Sequence, residues 1–281
     1  MRLVRSYAMV LAIVVLLVTT SQAPNAQNSV NRSSAAVLSE HEIELLDGMS
    51  PQNQAELLLE RSINHFRGAN EQIMARVDGW RGKITLGTRL THLFTTAINS
   101  DDLTVRAVGI EIDLAARDRE KSRATVDQLE PIARSGAQGV RVNALWDLGM
   151  LGNRGVEPDR IAEIILGAIH DPNPDVRYWA VESLAYLGTD RIIAPLLDVF
   201  HDDPVPAVRE RAACGLAQSG MLNEQQRRTA VPRLLDFAED FGLDTQTRGW
   251  VYQALRDITG QTMPPDARIW RNWYASSGNK N

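Results

Sequence analysis

The chain has 281 residues, of which 44% are apolar and 23% charged, with a formal net charge of −5 and one cysteine. This composition excludes a disordered chain, a collagen and a small domain held together by disulfides. Aromatic residues make up only 6%, while Ala and Leu are abundant. We therefore expect an all-α protein whose helices pack through small side chains.

Residues 1–26 have the pattern of a secretory signal peptide. Arg2 and Arg5 precede an apolar run from Tyr7 to Val18, and small residues follow it. This run of 12 residues is short of the roughly 20 that a membrane-spanning helix needs. We expect cleavage and a soluble mature chain in the periplasm or outside the cell. An uncleaved membrane anchor is the alternative.

The charge of the mature chain argues against a nucleic-acid partner. Without residues 1–26 the chain would carry 28 basic residues against 35 acidic ones. Nucleic-acid binding depends on clustered Lys and Arg that displace counterions from phosphates, and only three lysines occur in the sequence. We expect the partner to be a protein or a peptide.

Residues 27–37 are rich in Asn, Ser and Ala and predict a flexible linker. Residues 38–100 have helical periodicity without a repeat motif, which indicates an amino-terminal helical cap or degenerate repeats. The expected elements there are a capping box at Ser39 and Glu42, a helix from Pro51 that stops at Gly68, a short helix over Glu71–Val77, a turn over residues 79–82 and an apolar helix face from Leu86 to Ile98.

Residues 101–260 contain an internal repeat. Five segments share Val-Arg or its equivalent, then a small residue, then Leu and often Gly. Their arginines, separated by 35, 36, 32 and 39 residues, are Arg106, Arg141, Arg177, Arg209 and Arg248. This spacing is typical of solenoid repeats that each consist of two helices.

Helical geometry explains the residue pattern that the five segments share. With about 100° per residue from Val176, the residues Ala180, Ser183, Leu184 and Leu187 fall on one side and predict the core stripe. Pro and Asp precede these helices as start signals. We expect left-handed helix ends at Gly152, Gly188 and Gly220. A second helical pattern lies between successive repeats, with Pro195 and Pro232 bending it or lying near its first turns.

The segments 171–188 and 202–220 resemble the HEAT-repeat family, in particular the HEAT-like repeats of phycobilisome lyases. They share Asp-Pro turns followed by Val-Arg, Ala, Leu and Gly. The likeness is weaker around Arg106, where Asp113 replaces the expected Leu. The resemblance covers residues 101–260 and implies an α-solenoid, a right-handed superhelix of helical hairpins whose inner surface binds other proteins. A relative of the lyases that acts as an enzyme or binds a small molecule or chromophore is the alternative.

Residues 261–281 predict a capping helix and tail. Trp270 and Trp273 are three residues apart and share a helix face, which suits a cover for the open core of the last repeat. Ligand binding by the same pair is the alternative.

The sequence contains no motif for a nucleophile, a phosphate-binding loop or a metal site. We therefore expect no catalytic residue, no metal, no cofactor and no enzymatic activity. The pairs His170-Asp171 and His201-Asp202 are interpreted as helix ends and caps rather than metal ligands. The five repeated arginines predict structural pairing between neighbouring repeats, with ligand contact as the alternative.

The helix faces opposite the core stripe are the best candidate for partner binding. They carry Val142, Trp146, Tyr178, Glu182, Glu210, Cys214 and Gln253, with Met150 and Tyr186 on the flank. In a HEAT-like array the second helices line the concave side, so these residues would be neighbours. An aromatic, apolar patch is the composition favoured at interface anchors. The predicted partner-binding residues are Val142, Trp146, Met150, Tyr178, Glu182 and Tyr186. Packing of the same residues by an additional helix remains open.

Overall fold

The structure of the chain is a computed structural model that describes residues 36–278. The predicted signal peptide lies outside the described residues, as does all of the predicted linker except Ala36 and Val37. Within 36–278 the regular secondary structure is helical, apart from an isolated bridge between Val37 and Arg67. None of the described helices is both long and apolar enough to span a bilayer.

The α-helices follow one another in chain order with short connections. They are α1 (Glu40–Asp47), α2 (Pro51–Ile63), α3 (Ala69–Trp80), α4 (Thr88–Ile98), α5 (Leu103–Ala116), α6 (Arg123–Ser135), α7 (Gln138–Asn153), α8 (Pro158–Ala168), α9 (Pro174–Leu187), α10 (Ile193–Asp202), α11 (Pro206–Cys214), α12 (Glu224–Arg228), α13 (Val231–Glu239), α14 (Thr245–Thr259) and α15 (Ala267–Trp273). A 3₁₀ turn precedes α10 at Asp190–Ile192, and α11 and α15 continue as π-helical turns at Gly215–Ser219 and Tyr274–Gly278.

Successive helices pack as pairs, and the pairs stack. The pairs are α4 with α5, α6 with α7, α8 with α9, α10 with α11, and α13 with α14. Their second helices α7, α9, α11 and α14 each pack against the next one in the row. The chain is therefore an all-α solenoid of helix pairs over the described residues. The predicted boundary at residue 100 separates α4 from α5, although these two helices pack together as one pair.

Local signals set most helix starts. Ser39 accepts a hydrogen bond from the Glu42 amide while the Glu42 carboxylate accepts one from the Ser39 amide, which is the predicted capping box. Asn173 caps α9 through the Asp175 amide, and proline occupies the first helical position of α9. The predicted core stripe of α9 is buried throughout.

Several predicted boundaries were wrong. Helix α2 ends at Ile63 rather than near Gly68, because the chain reverses at His65, whose φ is 57°. The predicted turn at 79–82 begins inside α3, because Trp80 is buried and donates a hydrogen bond from Nε1 to Gln54 Oε1 at 2.7 Å. Tertiary packing thus extends the helix through Gly79.

Only one of the three predicted left-handed glycine caps occurs. Gly188 has φ 66° and ends α9. Gly152 lies within α7, where a Cβ would clash with Leu187 Cδ2. Gly220 has φ −77°, and a Cβ there would clash with the Gly215 carbonyl oxygen. The last two positions therefore require glycine for close packing rather than for a positive φ.

The buried side chains form two clusters that meet at α5. One cluster extends from Ile98 to Trp270 and the other from Leu38 to Ala115, and α5 contributes residues to both. Trp270 is fully buried and its Nε1 donates to the Pro264 carbonyl at 3.0 Å. This placement extends the core of the last pair, as a capping residue does.

Candidate functional site

Three of the five repeated arginines join neighbouring helix pairs, as the sequence predicted, whereas among the described residues Arg106 and Arg248 do not. These three bind the carboxylate of an Asp in the turn of the following pair. The shortest distances between nitrogen and oxygen are 2.7 Å for Arg141 with Asp171, 2.7 Å for Arg177 with Asp203 and 2.8 Å for Arg209 with Asp244. We call these three pairs the Arg–Asp ladder.

Arg106 is buried and has a different set of acceptors. The turn between α6 and α7 contains Gly136 and Ala137 and no acidic residue, so no carboxylate stands where the ladder would place one. Instead, Nε donates to the Ser100 carbonyl, Nη1 to the Gly220 carbonyl at 2.9 Å and Nη2 to the Gln218 carbonyl at 3.1 Å. Arg106 thereby ties the turn between α4 and α5 to the end of the π-helical turn after α11.

Two of the predicted partner-binding residues are buried. Met150 is 0% and Tyr186 3% exposed. They belong to the same buried cluster as Ile98 of α4 and Ile110 of α5. The expectation that Met150 and Tyr186 face a partner was therefore wrong, because both side chains lie in the core.

Trp146 is half-buried and is held from three helices. Its ring contacts Phe94 of α4 and Trp179 and Tyr186 of α9, with centroid distances of 6.5, 5.9 and 5.4 Å. Its Nε1 donates to Asp113 Oδ2 of α5 at 2.9 Å. Trp146 thus has a structural role, and its substitution would disturb the contact between α5 and α7.

The buried acids around Trp146 were missed by the repeat pattern. Asp113 is fully buried and accepts two hydrogen bonds from Arg117 Nε, both at 3.0 Å. Asp147 is 1% exposed and accepts from Arg119 Nε at 2.7 Å. Burial raises the pKa of both carboxyl groups, against the effect of the arginines. One signal of these buried acids was present in the sequence, because Asp113 stands where the repeat pattern has Leu.

The other predicted residues, Val142, Tyr178 and Glu182, remain partly accessible. Arg211 of α11, which the sequence analysis did not select, lies with its Nε 2.9 Å from Glu182 Oε2, and neither atom makes a directed hydrogen bond. Burial raises the pKa of the Glu182 carboxyl, although Arg211 opposes the shift. A possible sequence signal was the position of Arg211, two residues after Arg209 in the ladder. We call Val142, Tyr178, Glu182 and Arg211 the inner-face cluster, after the concave side on which the sequence analysis expects these helix faces.

Other predicted members of this face lie on its edge. Glu210 and Gln253 are exposed, and Cys214 is half-buried. Burial raises the pKa of the Cys214 thiol, which leaves less of the nucleophilic thiolate at neutral pH. This environment suits a packed cysteine rather than a reactive one.

The His-Asp turns meet at the outer edge of the stack. His170, Asp171, Asp202 and Asp203 line a cleft of 540 Å³ between the ends of α8 and α10. Asp171 and Asp203 are held by the ladder, and the described residues contain no group of three potential ligands suited to a metal ion. His201 lies beside this cleft and binds Asp202 Oδ1 at 2.5 Å and Asp240 Oδ2 at 2.8 Å. Burial disfavours the charged imidazole, but these two hydrogen bonds raise the pKa of His201 overall.

Sequence comparison agrees with this geometry. The family described as HEAT repeats matches residues 126–217, which include most of α6, all of α7 to α11 and the first residues of the π-helical turn that follows. This part of the chain is similar to HEAT repeats. The helix pairs α4–α5 and α13–α14 continue the same stacking on either side of the matched HEAT repeats. No curated protein matches the chain.

Proposed function

We propose that the mature chain is an exported, non-catalytic scaffold that binds a protein or peptide on its inner face. The observation that supports this proposal is the row of α7, α9 and α11, in which each helix packs against the next and Glu182 of α9 contacts Arg211 of α11. HEAT repeats supply the array, and the cluster supplies the contact site.

The chemistry of the cluster suits a peptide. Tyr178 offers a half-exposed aromatic ring, which is the kind of side chain that anchors interfaces. Glu182 Oε2 and Arg211 Nε form an ion pair without directed hydrogen bonds. Both atoms are buried, so this ion pair fixes α9 against α11 beside the accessible part of Tyr178.

Site-specific photo-crosslinking in the native host tests this proposal. A benzophenone amino acid at Tyr178 should yield adducts with one protein, whereas the same group at Asp198, which is 59% exposed on α10, should not. Val142→Ser should lower the adduct yield at position 178 by about tenfold, the effect of roughly 1.4 kcal/mol. Val140→Ser is the control, because Val140 is 50% exposed on another face of the same helix. Equal yields at the two positions, or an equal effect of the two Val variants, would contradict the proposal.

Export is supported by the charged and apolar pattern of residues 1–26. We expect the mature protein in the periplasm or medium to begin after Ala23 or Ala26. Amino-terminal sequencing checks this, and a chain that still begins at Met1 and sediments with membranes would indicate the anchored alternative.

A further inference from the structure

The Arg–Asp ladder ends with Arg209 and Asp244, one repeat before Arg248. Each of its three arginines binds an Asp of the turn that follows in the stack. Arg248 stands at the equivalent position in α14, but no further repeat turn follows it among the described residues. Its guanidinium group makes neither a hydrogen bond nor an ion pair with any residue in 36–278. The repeat geometry therefore offers a carboxylate-binding position that the described chain leaves empty.

Arg248 opens onto a cleft of 800 Å³ at this end of the solenoid. The cleft lies between the turn that joins α13 to α14 and the beginning of α15. Its apolar lining comes from Ala238, Tyr252, Pro265 and Ala267. This volume is in the range of clefts that bind small molecules or short peptide segments.

The acidic residues at the cleft already have partners. Glu239 accepts two hydrogen bonds from Arg271, at 3.1 and 2.9 Å. Asp266 caps α15 by accepting from the Arg268 amide at 2.9 Å. Asp240 is close enough for Arg248 to help lower its pKa, after larger effects from His201 and the Gly242 amide, and it binds His201 directly. The charge of Arg248 thus remains available to an external carboxylate.

Phe241 stands at the rim of the cleft and is 94% exposed. Its turn is fixed, because Asp240 Oδ1 accepts from the Gly242 amide at 2.7 Å and Oδ2 accepts from His201 at 2.8 Å. An aromatic ring that is accessible at the rim of a cleft offers a large apolar area to a partner.

We propose that this cleft docks an extended peptide segment of another protein. The segment places an Asp or Glu carboxylate against Arg248 and a neighbouring apolar side chain against Phe241 and Tyr252. Arg248, at the repeat position of the ladder arginines, supplies the positive charge. Phe241 and Tyr252 supply the apolar contact. This surface is separate from the inner-face cluster, so it does not depend on the function proposed above.

Selection of random phage-displayed dodecapeptides on the full mature chain provides the probe. The selected peptides should share an acidic residue followed or preceded by an apolar one. As synthetic peptides, they should bind about tenfold more weakly after Asp→Asn or Glu→Gln, and equally weakly to the Arg248→Gln protein, because one charge-assisted pair is lost in each case. The two changes together should cost no more than either alone, since they remove the same contact.

Matched variants give the test its controls. Arg233→Gln should leave peptide binding unchanged, because Arg233 is engaged with Asp198 at 2.8 Å outside the cleft. Tyr178→Ala should also leave it unchanged, which separates this result from the inner-face proposal. Phe241→Ser should weaken binding without lowering the melting temperature. Peptides without a shared acid, or full binding to Arg248→Gln, would overturn the proposal. A dimer that Arg248→Gln dissociates would overturn it too, because the occupant would then be a second copy of the chain.

Discussion

Close approach of α7 and α9 depends on single small residues. A Cβ at Gly149 would lie 2.7 Å from the Ser183 carbonyl oxygen and 3.0 Å from Ser183 Cα. These are backbone atoms, which cannot move aside as a flexible side chain can. Gly149 is therefore required by packing, although it lies inside a helix, where glycine is intrinsically unfavourable.

We expect Gly149→Ala to destabilise the protein by about 1–3 kcal/mol, the usual cost of overpacking. Gly139→Ala is the matched control on the same helix, because its Cβ would meet nothing within 4 Å. It should be neutral or stabilising by up to about 1 kcal/mol. Urea denaturation of both variants measures the difference. An equal change in stability would show that the backbones of α7 and α9 are not in the close contact described here.

At the scale of the elements, the Arg–Asp ladder fixes one helix pair against the next. Arg177 and Asp203 are each 8% exposed and make two hydrogen bonds, at 2.7 and 3.1 Å. Asp203 also accepts from the Val205 amide and shapes the turn before α11. Removal of Arg177 would leave a carboxylate buried without its counter-charge.

Arg177→Met should therefore lower the free energy of unfolding by about 3–5 kcal/mol, as expected for one partner of a buried pair. Arg233→Met is the comparison. Arg233 binds Asp198 at a similar distance of 2.8 Å, but the two side chains are 43% and 59% exposed. Its loss should cost less than about 1 kcal/mol. Similar losses in the two variants would mean that burial does not decide the strength of the ladder.

At the scale of the whole molecule, Arg106 links segments that are far apart in sequence. Nearest-neighbour contacts dominate in a solenoid, yet Arg106 binds carbonyl groups 112 and 114 residues away. In the same region, Asp113 of α5 accepts a hydrogen bond from Trp146 of α7, and Met150 and Tyr186 lie in the core. The contacts of α5 thus extend beyond the neighbouring helix pair.

Arg106→Gln should destabilise the protein by about 2–3 kcal/mol, because buried carbonyl groups lose charged donors. Hydrogen exchange should accelerate in two places, over residues 99–105 and over residues 215–222. Arg191→Gln is the control, because within residues 36–278 Arg191 forms ion pairs with Asp159 and Glu163 of the neighbouring helix pair alone. Faster exchange confined to residues near 106 would contradict the long-range link.

The sequence by itself determined the features that depend on interactions between residues close together in the chain. The spacing of the arginines, the prolines and Asx residues at helix starts and the core stripe of α9 specified the helix pairs. These signals act within one or two helices, so a single segment contains them completely. The first arginine lacked an acid in the next turn, and this was also visible in the sequence.

Only the tertiary structure decided which faces are covered. Met150 and Tyr186 have the position of exposed residues in the helical pattern, but both are buried in the core. Periodicity gives the direction of a side chain around its own helix and says nothing of a distant helix that packs there. The unpaired end of the ladder at Arg248 and the exposed Phe241 likewise depend on where the stack stops in space.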